Sequence, residues 1–246
     1  LETYSIYNVR LNLIDYSSLI DLIDKSISEK KGLIISYVNA NTVNLAFRNN
    51  KFLNLLNHCD IAHTDGIGIY LALKMLSFKN VFRFTGSDFY EILKTYSIKN
   101  SRSCYFFGHD EDILGRIQST NPMLKIAGTH TGYNFKTSEV IENILSNNPD
   151  IICVGLSQPI QETWVNENKD KLKNKIIICV GEGIKVFTGT KTRGPVFLRK
   201  LGLEWLIRLI NSPFKYWKRY IIGNPLFLYR IIKLKIAKFG NHNILI

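Results

Sequence analysis

The stretch Asp60–Ser77, DIAHTDGIGIYLALKMLS, changes character at Asp65. Up to that residue it is a short β-type run. Gly66 and Gly68 then form a turn, and IGIYLALKMLS carries apolar residues at helical spacing. A strand that passes through a glycine turn into a helix is the repeating unit of a parallel sheet, because parallel neighbours must be joined by a crossover. Open sheets of this kind bind ligands on the turns beyond their strand carboxyl ends, and Asp65 stands on such a turn.

The same unit recurs through the first three quarters of the chain. GLIISYVN (32–39), SCYFFGH (103–109), KIAGTHTGY (125–133), DIICVGL (150–156) and KIIICVG (175–181) read as strands that mostly end at Gly, Asn or Asp. ANTVNLAFRNNKFLNLLNH, GSDFYEILKTYS, SEVIENILSNN and IQETWVNENKDKL read as helices between them. The expected fold is α/β, a Rossmann-like, mostly parallel sheet with helices on both faces.

That rhythm stops near GTKTRGP (189–195), which divides the chain into an expected catalytic domain, 1–189, and an appendage, 190–246. The whole chain of 246 residues carries +12, yet residues 190–246 hold twelve Lys or Arg against one acid, Glu204. The body is therefore close to neutral at +1. In the tail, VFLRKLGLEWLIRLI sets Leu198, Leu201, Trp205, Leu206 and Leu209 on one helical stripe, and PLFLYRIIKLKIAK mixes bulky aliphatics with Arg230, Lys233, Lys235 and Lys238. SPFKYWKRY between them interleaves aromatics and cations, a mixture suited to a lipid headgroup interface. No RRM, zinc-finger, KH or helix-turn-helix pattern accompanies the charge, so an anionic membrane surface is expected and nucleic acid is not.

Cys59, Cys104, Cys153 and Cys179 are far apart in apolar surroundings and read as buried reduced thiols. The histidines form no HxxxH or HExxH spacing, so no metal site is expected. Leu1–Asn12 lacks the pattern of a signal peptide, and no apolar run reaches the length of a spanning helix. These features suggest a protein inside the cell.

Asn39 in YVNANTVNLA, DGIGI (65–69), RFTGSD (83–88), FFGHDEDI (106–113), PDIICVGLSQPIQETW (149–164), VGEGIKVFTG (180–189) and RGPVFLRKLGLEWLIRLINSPFKYWKRY (193–220) follow one another in an order that resembles the WecG/TagA/CpsF group of bacterial glycosyltransferases, glycosyltransferase family 26. The resemblance spans roughly residues 32–222. It implies a GT-E type enzyme that moves a sugar, with inversion and without a metal or other cofactor, from a UDP-sugar donor to a polyprenyl-diphosphate-linked sugar acceptor. Such an enzyme works in cell-surface polysaccharide synthesis, peripheral on the inner face of the cell membrane. A homo-oligomer is left open.

By that resemblance Asp65 is the general base, and Arg83 meets the charge developing on the departing diphosphate. Read locally, Asp65 could equally cap its helix, and Arg83 could form a surface ion pair. Asn39 and Gln161 match substrate-contacting positions and carry amides able to hold sugar hydroxyls, while a turn and a helix start are their structural alternatives. Asp88 either caps the helix after TGSD or touches substrate. Gly108, Gly155 and Gly181 end strands and let a nucleotide approach, or simply make turns. Arg193, Arg208 and Arg219 match the tail arginines that the resemblance brings to the diphosphate, and Lys215 stands where it has a further arginine. Tyr37 replaces a threonine, Ile160 a lysine, and Lys185 an acid, which bears on donor and acceptor contacts.

Two other readings compete. A Rossmann-type NAD-dependent oxidoreductase is weakened because no GxGxxG opens the first strand-helix turn. A non-catalytic, membrane-bound nucleotide-sugar scaffold is weakened by the joint presence of Asp65, Arg83, Asn39 and Gln161.

Overall fold

The computed structural model describes residues 2–191 and 193–240. The end of the basic tail, 241–246, and the side chain of Lys238 lie outside the described residues.

Eight strands form one sheet: β1 (Glu2–Ile6), β2 (Val9–Leu13), β3 (Leu33–Val38), β4 (Ile61–Thr64), β5 (Cys104–Phe107), β6 (Ile126–His130), β7 (Ile151–Val154) and β8 (Ile176–Cys179). Their order is β1-β2-β4-β3-β8-β7-β5-β6, and every pairing except β1 with β2 is parallel. The six strands read from the sequence are all present. β4, β5, β7 and β8 are buried at every residue, as expected for parallel strands covered on both faces.

The helices of the body are α1 (Tyr16–Ser28), α2 (Ala40–Ala46), α3 (Asn50–Asn57), α4 (Gly66–Met75), α5 (Gly86–Lys99), α6 (Glu111–Thr120), α7 (Thr137–Asn147), α8 (Ile160–Asn168) and the short α9 (Ile184–Phe187). Two large clusters fill the two sides of the central strands. Phe89, Phe106, Ile178 and Phe187 lie in one, and Tyr105, Phe107, Ile152 and Trp164 in the other. The four cysteines are free and buried, and Cys104, Cys153 and Cys179 lie within these clusters.

The hairpin β1–β2 and helices α1 and α6 do not figure in the sequence reading. The hairpin turns on Tyr7-Asn8, both at positive φ (51° and 63°), in the manner of a two-residue primed turn. Neither residue is glycine, so the usual turn signature is missing.

Beyond residue 195 the chain forms α10 (Val196–Lys200), α11 (Glu204–Asn211), α12 (Pro213–Trp217), a π-helical turn (Lys218–Ile222) and α13 (Gly223–Gly240). The stripe expected to run through VFLRKLGLEWLIRLI is broken at Gly202, whose φ of +80° ends α10. A Cβ there would stand 2.8 Å from Ile67, so glycine serves both the turn and a close approach to α4.

The last helix packs on the body. Phe227 and Ile231 are buried in a third cluster with Val43, Ile69 and Leu73. The Arg230 guanidinium lies 4.0 Å over the Phe47 ring and donates to Asn44, while Asn44 Nδ2 donates to the Gly223 carbonyl at 2.8 Å. The Tyr7 hydroxyl donates to the Arg230 carbonyl at 2.7 Å. The basic helix is thus seated on α2 and the N-terminal hairpin. Among the described residues, no helix is long and apolar enough to cross a membrane.

Candidate active site

β3 and β4 are neighbours, and their carboxyl ends deliver Asn39 and Asp65 side by side. The Asp65 backbone N–H donates to the Val38 carbonyl at 2.8 Å, which extends the β-ladder up to the acid itself. Asp65 occupies the N-cap position of α4, yet its side chain makes no cap bond there. One carboxylate oxygen, Oδ1, accepts the backbone N–H of Gly86 at 2.8 Å, at the start of α5. The other, Oδ2, accepts from Asn39 Nδ2 at 3.4 Å. The carboxylate is held by the N-terminus of a helix that is not its own, where the positive end of the helix dipole favours an anion.

The amide of Asn39 is oriented in turn. Its Oδ1 accepts the Thr42 N–H at 3.1 Å in a capping box at the start of α2, which leaves Nδ2 to face Asp65. The Thr42 hydroxyl donates to Gln158 Oε1 at 2.8 Å, and Gln158 Nε2 donates to Glu162 Oε1 at 3.1 Å. Glu162 also accepts from Ser36 and Gln161, and burial pushes its carboxyl above the usual range. Asp65 therefore stands at the open end of a hydrogen-bonded row that reaches into the buried pair Gln161 and Glu162.

Asp65 and Asn39 line a cavity of about 300 Å³ between the body and the appendage. Arg83, Arg199, Arg208 and Arg219 also line it, and among the described residues these four cations face two acids, Asp65 and Glu204. Arg83 bridges the two parts, because its Nη1 donates to the Lys200 carbonyl at the end of α10 at 2.8 Å. Arg208 is paired with Glu204, which outweighs the burial opposing its charge and raises its pKa. The cavity is a cationic pocket with one well-held carboxylate, an arrangement able to bind a diphosphate beside a base.

The other expected residues lie around the pocket. Asp88 pairs with Arg193, which also faces Glu204 at 3.9 Å, so this ion-pair row fastens α11 to α5. Lys215 and the Tyr216 hydroxyl both bind Glu182, just after β8, and so fix α12. Gln161 is fully buried, with Oε1 on the Gly181 N–H at 3.1 Å and Nε2 on Glu162 at 2.9 Å. Tyr37 is half-buried with its hydroxyl against Gly181, and burial raises its pKa. Gly108, at φ +125°, lies so close to Gly155 that a Cβ would stand 2.5 Å from the Gly155 carbonyl carbon. These glycines bring the strand ends together.

The model of the glycosyl transferase WecG/TagA/CpsF family matches residues 4–240, nearly the whole described chain. The protein belongs to this family of glycosyltransferases. Among its relatives is the N-acetylglucosaminyldiphosphoundecaprenol N-acetyl-beta-D-mannosaminyltransferase of Bacillus subtilis (strain 168), 28% identical over 95% of this chain and 92% of the relative. Proteins of the same name from Bacillus spizizenii (25% identical, 88% and 85% covered) and Staphylococcus aureus strain MRSA252 (28%, 82% and 81%) are similar too.

In this family member the pocket holds residues that the sequence reading did not select. Arg199 and Glu204 reach it because Gly202 folds α10 and α11 over α4. Glu204, the lone acid in a strongly basic tail, was the available signal. Outside the lining, Lys191 has its pKa lowered to about 7 by burial first and by Arg208 next, within electrostatic range of Glu204 and Asp65. Nothing in GTKTRGP marked it out from the other cations.

Proposed function

We propose that the enzyme moves a sugar from a UDP-sugar to a polyprenyl-diphosphate-linked sugar, with inversion and without a metal. The observation that carries this reading is the Asp65 carboxylate, fixed by Gly86 and Asn39 on the floor of a pocket walled by four arginines. Asp65 takes the proton of an acceptor hydroxyl as that oxygen attacks the anomeric carbon from the face opposite the nucleotide. The bond from that carbon to the diphosphate oxygen breaks, and its electron pair leaves with UDP. The arginines meet the charge that appears there. Asn39 has a second role, since its amide orients Asp65.

The relatives' names support an N-acetylhexosamine as the transferred group and a diphosphoundecaprenol-linked N-acetylglucosamine as the acceptor. The appendage supports a place at the membrane. Among the described residues, twelve of the nineteen exposed large hydrophobic side chains belong to positions 196–236, including Phe197, Phe214 and Trp217, and they accompany the excess of Lys and Arg. An anionic, cytoplasmic leaflet fits that surface. Residues 1–189 would then carry the sheet and its base, and 190–246 the membrane contact and the pocket's lid.

The experiment is UDP release from a panel of UDP-sugars, with and without a short-chain polyprenyl-diphosphoryl N-acetylglucosamine. Acceptor-dependent release with at least one donor is expected. Binding of NAD in place of UDP, or no transfer with any donor, would overturn the reading.

A further inference from the structure

The cavity changes character along its length. At one end stand Asp65, Arg83, Arg208 and Arg219. The other end is walled by Leu71, Ala72 and Met75 of α4 and by Phe227, Leu228 and Ile231 of α13. The two triplets repeat at three- and four-residue spacing, so each helix offers one apolar face to the gap. From Gly68 to Met75 the trough follows α4 for about 10 Å. Its inner wall is apolar, with Ala72, Phe227 and Ile231 all buried. Its mouth lies between Leu71, 50% exposed, and Leu228, 48% exposed, and Ile232 continues the apolar path one turn further along α13.

Neither a nucleotide nor a sugar suits this end, because among the described residues no charged side chain of α4 or α13 lines it and buried hydroxyls would lose their partners. What fits is a hydrocarbon joined directly to a diphosphate, with the anion among the arginines and the carbon chain leading away from Asp65. We propose that the trough between α4 and α13 binds the first isoprene units of the acceptor lipid. This rests on the acceptor class proposed above and adds to it. The enzyme draws the proximal part of the tail out of the bilayer and grips it beside the reacting sugar, so the tail contributes to recognition as well as to anchorage.

The test needs no turnover and no membrane. Equilibrium binding of farnesyl diphosphate and of methyl diphosphate is compared in water, without detergent or vesicles, on the native chain and on the double variant Leu71→Asp, Leu228→Asp. Both positions are half exposed at the mouth, so the fold tolerates them. The native chain should bind farnesyl diphosphate at least about tenfold more tightly than methyl diphosphate, as burial of several methylenes requires. The variant should lose most of that preference while its affinity for methyl diphosphate changes by less than about twofold. Equal native affinities, or a preference that survives both carboxylates, would overturn the proposal. Failure of the acceptor reading would look different: farnesyl diphosphate would bind with preference, yet no sugar would be transferred to any polyprenyl-linked acceptor.

Discussion

The Asp65 carboxylate lies 2.8 Å from the backbone N–H of Gly86, the first residue of α5, and makes no cap bond to the helix it precedes. The local sequence offers capping and catalysis as equal readings. The fold separates them by turning the side chain away from α4 toward the neighbouring helix start. An acid held in this way stays oriented with its Oδ2 edge toward Asn39 and the pocket.

Asn39→Ala removes both the Asp65 contact and the N-cap of α2. Loss of the cap should cost about 1 kcal/mol of stability. Activity should fall by more than stability alone explains, with kcat dropping at least about tenfold while the variant remains folded. Thermal melts and steady-state kinetics on the same preparation check this. A kcat within twofold of native would remove Asn39 from the orientation of Asp65.

Thr42→Val tests the row behind Asn39. The valine keeps the volume but has no hydroxyl to accept the Asn39 backbone N–H and donate to Gln158, so the row that holds Asn39 against Asp65 is cut. A severalfold fall in kcat with little change in donor KM is expected, and Thr42→Ser, which keeps the hydroxyl, should recover most of it. If serine and valine behave alike, the hydroxyl has no part in positioning.

Burial works against the Glu182 charge, but Lys215 and Tyr216 more than offset it and hold the carboxyl down at about 2, against an ordinary 4.5. Because the folded pKa is lowered, this contribution is present above pH 4.5 and is lost as the pH falls toward 2. Glu182→Gln should therefore lower the melting temperature at neutral pH, and the gap from native should close between pH 4.5 and 2. A gap independent of pH would mean that Glu182 acts through packing alone.

Lys191, with its pKa near 7, is charged below that value and neutral above it. An anion bound nearby favours the charged form, so UDP binding at pH 8 should take up a proton. Calorimetry in buffers of different ionisation enthalpy measures that uptake, which should disappear in Lys191→Met. Equal uptake by both proteins would place Lys191 outside the diphosphate's reach.

The parallel core was legible in the sequence because its strands are short apolar runs that end at Gly, Asn or Asp, and all six are present. The N-terminal hairpin was not, since its turn uses Tyr7 and Asn8 at positive φ in place of glycine. Asp65, Asn39 and Arg83 could be picked out from motif and position, and the fold brings them to one cavity together with Arg208 and Arg219. Arg199 and Glu204 could not, because they reach the pocket only after Gly202 breaks a stripe that reads as continuous. Asp88, Arg193, Gln161 and Lys215 are engaged in joining elements around the pocket, a role that depends on partners up to about a hundred residues away, such as Arg193 on Asp88.

The most direct test of the central claim is the rate of sugar transfer by Asp65→Asn under saturating donor and acceptor, measured beside UDP-sugar binding to the same variant. Asparagine keeps the shape and can still accept from Gly86 N–H, but it cannot take a proton. The account predicts a loss of about 10²–10⁴ in rate with donor affinity near native. Transfer at the native rate would contradict it and require another base.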